Sequence, residues 1–282
     1  MVDYAMLEAK GRIYPGALTG KEKVRLKFHT HADNERSSQV FCLNAFGTLR
    51  LFPERDEIIN RLFRKTLNGI EPGTWTIQPE ASERTLLGES GQQPTSIDML
   101  FTSEKMVICM ESKYIEDAKS GFGGCSQYKD GNCRGFYGPG SDKKCGTQAW
   151  CRLENRDGKR SPRLYWSLGK AYFQPEVFRM QTEEKESCHF FGPNYQLMRN
   201  VLFAATFAEK HSLPYWGVVA ICPEKNKDSI EKQIDQFKER ILLPEFHDRL
   251  NLIHYEDYIQ ILKSYEGEPS KLGNYLEAHL PK

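Results

Sequence analysis

Apolar positions along the chain switch between a helical and a strand period, and the switches outline its elements. From Ser37 the run SSQVFCLNAFGTL sets Val40, Phe41, Leu43 and Ala45 on broad helical faces, with Ser37 or Ser38 as N-cap and Gly47 as stop. Over Asp56 to Leu67 the residues Ile58, Ile59, Leu62, Phe63 and Leu67 recur at helical spacing, the mark of one buried stripe. Between Trp75 and Lys113 the pattern shortens to the β-type runs TWTI, SIDMLF and MVICMESKY, which read as a meander. A helical face returns at Asn194 to His211 through Leu197, Val201, Leu202, Ala205 and Phe207, after the start signal GPN. Tyr215 to Cys222, YWGVVAIC, is nearly continuous apolar sequence, as a strand buried on both faces requires. A charged helix near Asp228 to Ile241, a short strand near Leu252 to Tyr255 and closing helices from Glu256 complete the order.

Two segments lack a period. Lys10 to Asn34 mixes Gly, Pro, Lys, Arg and His, and residues 1–34 read as an N-terminal arm before a domain over 35–282. Ala118 to Gly158 is rich in Gly, Cys, Lys and Asp and too long for a plain connector, so an insertion is expected at about residues 118–160. Helices flanking a small mixed sheet, with this insertion, predict an α/β (α+β) domain. Composition is ordinary for a folded chain, 39% hydrophobic and 27% charged. Lys plus Arg number 39 against 38 Asp plus Glu, a net charge of +1, so a polyanion partner needs a local basic cleft. No run approaches the ~18–20 apolar residues of a membrane helix, and MVDYAMLEAKGR lacks the order of a signal peptide. The expectation is a cytoplasmic protein without membrane partners.

Charged residues interrupt the central apolar runs. Glu111 and Lys113 are two apart and project from one face of their strand. With Ser103 and Glu104 as a two-residue loop, Asp98 falls opposite Cys109 and diagonal to Glu111, within ~7–8 Å on the same face. Two carboxylates at that spacing offer hard oxygen ligands to Mg²⁺, and a lysine beside a metal-bound water suits phosphodiester hydrolysis. The bland alternative is an edge strand with one ion pair of small worth. Val107 to Met110 argue against it, because burying that strand end is costly unless the charges serve something.

Ile97-Asp98, a spacer and Glu111-Ser112-Lys113 resemble the active-site signature of the PD-(D/E)XK nuclease superfamily. The wider pattern of SSQVFCLNAF, ESKYIED, a Cys-rich stretch and GPNYQLMRNVLFAATFAE resembles a bacterial family of restriction endonucleases of that type, over roughly residues 35 to 222. The resemblance implies a restriction-endonuclease-like core with Asp98 and Glu111 as Mg²⁺ ligands and Lys113 as the catalytic lysine. It also implies that Gln196 borders the active site; Arg199, one turn later, is expected with the basic residues below to contact nucleic acid. Some such nucleases add an upstream acid, for which Glu57, Glu80 and Glu83 are the candidates. The proline expected just before the first Asp is displaced, since Pro94 lies four residues back.

Cys125, Cys133, Cys145 and Cys151 crowd the insertion, and Cys188 precedes the Gln196 helix. In a reducing compartment such thiols point to a structural metal, Zn²⁺ or an iron–sulfur cluster, held by four of these five. Cys42, Cys109 and Cys222 sit in apolar runs and read as buried thiols. Lys143, Lys144, Arg152, Lys159, Arg160 and Arg163, interleaved with Trp150, Tyr165 and Trp166, suit a phosphate-tracking surface with stacking platforms. Lys21, Lys23, Arg25 and Lys27 form a second basic stretch, with a solvated face as the alternative for both. Together these readings predict an endodeoxyribonuclease using Mg²⁺ or Mn²⁺. The rival is a non-catalytic, metal-stabilised nucleic-acid-binding or scaffold protein. DNA is the expected partner, and RNA in its place and a homodimer both stay open.

Overall fold

The computed structural model describes residues 2–30, 32–34, 37–67, 73–89, 94–114, 121–125, 163–178, 188–190 and 192–280. Its centre is a five-stranded mixed sheet in the order β1 to β5: Thr76–Ala81, Ile97–Thr102, Met106–Ser112, Tyr215–Cys222 and Leu250–His254. The first three strands form the expected antiparallel meander, and β4 and β5 add in parallel. Every residue of β3 is buried, as a central strand with helices on both faces demands.

Short helices Tyr4–Ala9 (α1) and Gly20–Arg25 (α2) precede Ser38–Cys42 (α3) and Arg55–Arg64 (α4). Tyr165–Gly169 (α5), Asn194–Lys210 (α6), Lys227–Arg240 (α7), Tyr255–Lys263 (α8) and Glu268–His279 (α9) follow. Side-chain alternation in the strands feeds two cores. Leu100, Val107 and Cys109 face one with Val201, Phe203, Ile234 and Phe237 of α6 and α7. Phe101, Ile108 and Met110 face the other with Ile59 and Phe63 of α4, and Tyr258 and Leu272 of α8 and α9. The mixed α/β architecture is that of a restriction-endonuclease-like core.

Two local expectations are corrected. The β2–β3 hairpin pairs Thr102 with Val107 and closes with Ser103 N–H donating to the Met106 carbonyl, so Glu104 and Lys105 make the turn. The loop sits one residue later than expected, and the register moves by two. A shift of two keeps every side chain on its face. Gly47 does not stop its helix either. Ser37 caps α3 with its hydroxyl on the Val40 amide, but the chain continues as a π turn over Leu43–Gly47.

That turn seats the N-terminal segment. Asn44 is buried, accepts from the Tyr14 amide at 2.9 Å and donates to the Arg12 carbonyl at 2.8 Å, replacing main-chain pairing with one side chain. Leu7, Ile13, Leu18 and Phe28 form their own buried cluster with Val40 and Leu43. Residues 2–30 are therefore packed onto the domain, with α1 and α2 where periodicity gave none. Gly47 is needed because the backbone of Ala17 crosses it: a Cβ there would lie 2.2 Å from the Ala17 carbonyl oxygen. Gly47→Ala is expected to cost about 1–3 kcal/mol by overpacking against backbone. Urea unfolding at unchanged m value measures it, and a midpoint equal to wild type would contradict the contact.

Candidate active site

At the end of β3, Glu111, Ser112 and Lys113 are 3%, 2% and 6% exposed. A carboxylate and an ammonium so enclosed require partners. The two lie 3.2 Å apart, from Glu111 Oε1 to Lys113 Nζ. Helix α6 crosses this face and supplies the rest. Gln196 Nε2 donates to Glu111 Oε1 at 2.5 Å, and Asn200 Nδ2 donates to Oε2 at 3.1 Å. Gln196 Oε1 accepts from Lys113 Nζ at 3.0 Å, so one amide holds both charged groups. The i, i+4 spacing of Gln196 and Asn200 places them one above the other on the helix.

Residues 121–123 brace that amide. Gly123 N–H donates to Gln196 Oε1 at 2.7 Å, and the Gln196 amide returns a bond to the Gly123 carbonyl. The Phe122 ring lies 5.2 Å from Lys113 Nζ, and its amide donates to Gln233 Oε1 of α7. Gly121, at φ +35°, admits the Gln233 side chain where any Cβ would collide with it.

Asp98 enters from β2. Continuing the β2–β3 register by one pair sets it directly across from Glu111, closer than the diagonal placement expected. Its Oδ2 accepts from the Ser112 amide at 2.8 Å, and its Oδ1 takes no hydrogen bond among the described residues. The β1–β2 register places Glu80 across from Asp98, which completes a transverse row of three carboxylates. Glu80 accepts from Ser96 Oγ and from Gln39 Nε2, each at 2.7 Å. Its φ of +48° lies in the left-handed region, which costs a non-glycine residue about 1 kcal/mol or more. The strand changes face there, with Ile77 in one core and Ala81 in the other.

Like charges in one enclosed row perturb each other. Burial first, then Glu111 and Glu80, raise the Asp98 carboxyl well above its usual range, against the Ser112 amide and Lys113. Burial and Glu111 raise Glu80 as well, against its two hydrogen bonds. Among the three upstream acids considered, Glu80 is the one at the site. Glu83 pairs with Lys210, and Glu57 lies beside Tyr265. Among the described residues no group of three His, Cys, Asp or Glu side chains could hold a metal ion unaided. Asp98 and Glu111 nonetheless fit Mg²⁺, which takes one or two carboxylates and keeps several waters.

Other expected site residues fall differently. Arg163 donates to Glu89, Tyr165 and Tyr195, while Arg199 bonds Thr95 and covers the Tyr195 ring. Both face an internal network around Glu89, itself 1% exposed, instead of an open phosphate-tracking surface. Tyr165 and Trp166 are core residues and cannot act as stacking platforms. A buried carboxylate attracts nearby cations, which explains the inward turn. Lys143, Lys144, Arg152, Lys159, Arg160, Trp150, Cys133, Cys145 and Cys151 lie outside the described residues. Cys125 is buried two residues beyond Gly123, and Cys188 is half-buried. Asn200 was missed, although a polar residue four after Gln196 inside an apolar helix was a readable signal.

A family model described as Restriction Endonuclease associating with ARP matches residues 17–279. No curated protein and no solved structure matches the chain. No helix among the described residues is long and apolar enough to cross a membrane.

The raised Asp98 value has a thermodynamic consequence. An acid whose pKa is higher folded than unfolded opposes folding once ionised; the penalty is absent below the ordinary Asp value of about 4 and grows as pH rises through the native value. Asp98→Asn keeps an acceptor for the Ser112 amide and removes the charge. In EDTA it is expected to melt above wild type at pH 8, with the difference vanishing near pH 4. A gain independent of pH, or a loss at pH 8, would contradict the crowding of the row.

Proposed function

Because the chain belongs to the family of restriction endonucleases described as associating with ARP, we propose that it is a Mg²⁺-dependent endodeoxyribonuclease hydrolysing DNA phosphodiester bonds at Asp98, Glu111 and Lys113. The observation that carries this reading is the buried Glu111–Lys113 pair at a strand end, with Asp98 directly opposite. Hydrophobic residues would fill such a position more cheaply if it only supported the fold. The PD-(D/E)XK resemblance assigns these same three positions.

Asp98, through the Oδ1 that takes no hydrogen bond among the described residues, and Glu111 would hold Mg²⁺ or Mn²⁺. Such an ion supplies Lewis-acid polarisation of the phosphate and a bound water of lowered pKa. Lys113 brings a fixed positive charge to the side where negative charge develops on the phosphoryl oxygens, at no cost of reorganisation. Gln196 aims that charge: its Oε1 faces Lys113 and Gly123 while its Nε2 faces Glu111, so neither end can turn without losing a bond. Asn200 restrains the second Glu111 oxygen and fixes the plane of the carboxylate.

Purified protein is expected to cleave DNA with Mg²⁺ or Mn²⁺ and not in EDTA, with Ca²⁺ supporting binding alone. Asp98→Ala and Lys113→Ala should each lower the rate by about 10²–10³ or more. Lys113→Ala also strands Glu111 without its cation, at a cost of about 3–5 kcal/mol, so melting curves accompany the assays. Wild-type rates in folded variants would overturn the assignment. So would the absence of metal-dependent cleavage on plasmid, linear and single-stranded DNA alike.

A further inference from the structure

Helix α2 turns a single side chain inward. Glu22 is buried and bonds Arg50 Nη1 at 2.5 Å, while its other oxygen accepts from the Thr19 amide at 2.9 Å. Arg50 in turn donates to the carbonyls of Gly47 and Ala17, each at 2.8 Å. The one acidic group of the helix is thereby neutralised and spent on anchoring. Lys21, Lys23, Arg25 and, just beyond the helix, Lys27 all stand exposed. Val24 among them is 89% exposed, whereas Leu26 and Phe28 on either side of Lys27 pack into the N-terminal cluster and leave Lys27 facing outward. Lys23 leans over the Tyr4 ring at 4.3 Å, whereas Lys21, Arg25 and Lys27 form no ion pair with any described residue.

A second observation ties this strip to the carboxylate row. Gln39 donates to the Lys27 carbonyl and accepts from the His29 amide, each at 3.2 Å, and its Nε2 also reaches Glu80 at 2.7 Å. One amide side chain thus separates the backbone of the basic segment from the carboxylate next to Asp98. Exposed cations would simply be solvated if they stood anywhere on the surface. Here the backbone just beyond the helix, at Lys27 and His29, is bonded through Gln39 to a site whose own charges are acidic, in a protein of net charge +1 that has no overall field to draw a polyanion.

We infer that the exposed strip of Lys21, Arg25 and Lys27, held by the Glu22–Arg50 clamp, binds DNA phosphates flanking the scissile one and delivers the strand past Gln39 to Glu80 and Asp98. This rests on the nuclease reading only for the identity of the polyanion and the reacting site. The strip offsets the repulsion that the three carboxylates exert on an incoming backbone. Its residues touch no reacting atom, so they act on capture and not on the chemical step.

The test is DNA binding by fluorescence anisotropy in Ca²⁺ across a salt series, with cleavage kinetics in Mg²⁺. Each phosphate contact contributes about 0.9 to the slope of log K against log salt. The combined variant Lys21→Ala, Arg25→Ala, Lys27→Ala is expected to lose about 2–3 units of slope. It should raise KM and leave kcat at saturating DNA unchanged. A control with Lys170→Ala, Lys232→Ala and Arg240→Ala removes the same charge from other exposed positions and should lose less than half as much. An unchanged slope in the strip variant, or an equal loss in the control, overturns the inference while leaving the nuclease reading intact. Strip-dependent binding without cleavage supports the strip and overturns the nuclease reading. Wild-type protein that binds no DNA overturns both.

Discussion

A carboxylate taken out of water must be met by donors, and Glu111 dictates what surrounds it. Three donors converge on it, Gln196 and Asn200 from α6 and Lys113 from its own strand. The demand is strong enough to leave another group wanting. Asn200 is fully buried and its Oδ1 has no hydrogen-bond partner among the described residues. An unmade bond of that kind costs about 1–3 kcal/mol, less than the 3–5 kcal/mol of an uncompensated buried charge. The balance explains why α6 carries an asparagine inside its apolar face. It also sets the rotation of α6 against β3, which brings Gln196 within reach of Gly123.

Electrostatic tension runs across the sheet from that point. Glu80, Asp98 and Glu111 occupy neighbouring cross-strand positions, while Lys113 is the lysine that balances them. Glu80 holds its place in a strained backbone conformation, paid for by the hydrogen bonds of Ser96 and Gln39. Excess negative charge and enclosure in one row favour a bound cation, which would relieve the repulsion, and local strain of this kind gathers at functional sites. The same Gln39 joins the row to the basic segment, so the charge pattern continues outward with the opposite sign.

Much of this was legible in the chain. Short β-type runs placed β2 and β3 and a nearly continuous apolar run placed β4 where they lie, and two-residue spacing put Glu111 and Lys113 on one face. The hairpin turn was misplaced by one residue because Ser103, Glu104 and Lys105 all tolerate a turn and no Asn-Gly pair fixes it. The face survived that error, since an even shift preserves it. Choosing Glu80 over Glu57 and Glu83 needed the β1–β2 register, which depends on a left-handed residue that a glutamate does not announce. Arg163 and Arg199 read as surface cations because their attractor, Glu89, is remote from them in sequence. The N-terminal helices escaped notice because Asn44, deep in a π turn, supplies the anchoring that an apolar stripe usually signals.

The proposed metal site makes one demand of the carboxylate row above all, that it take up a cation. Titration calorimetry with Mn²⁺ near neutral pH, repeated in buffers of different ionisation enthalpy, counts the protons released on binding. Since burial, Glu111 and Glu80 raise Asp98, wild-type protein is expected to bind one ion at this site with net proton release. Asp98→Asn is expected to bind more weakly and to release fewer protons. Equal affinity and equal proton release in the two proteins would contradict the claim.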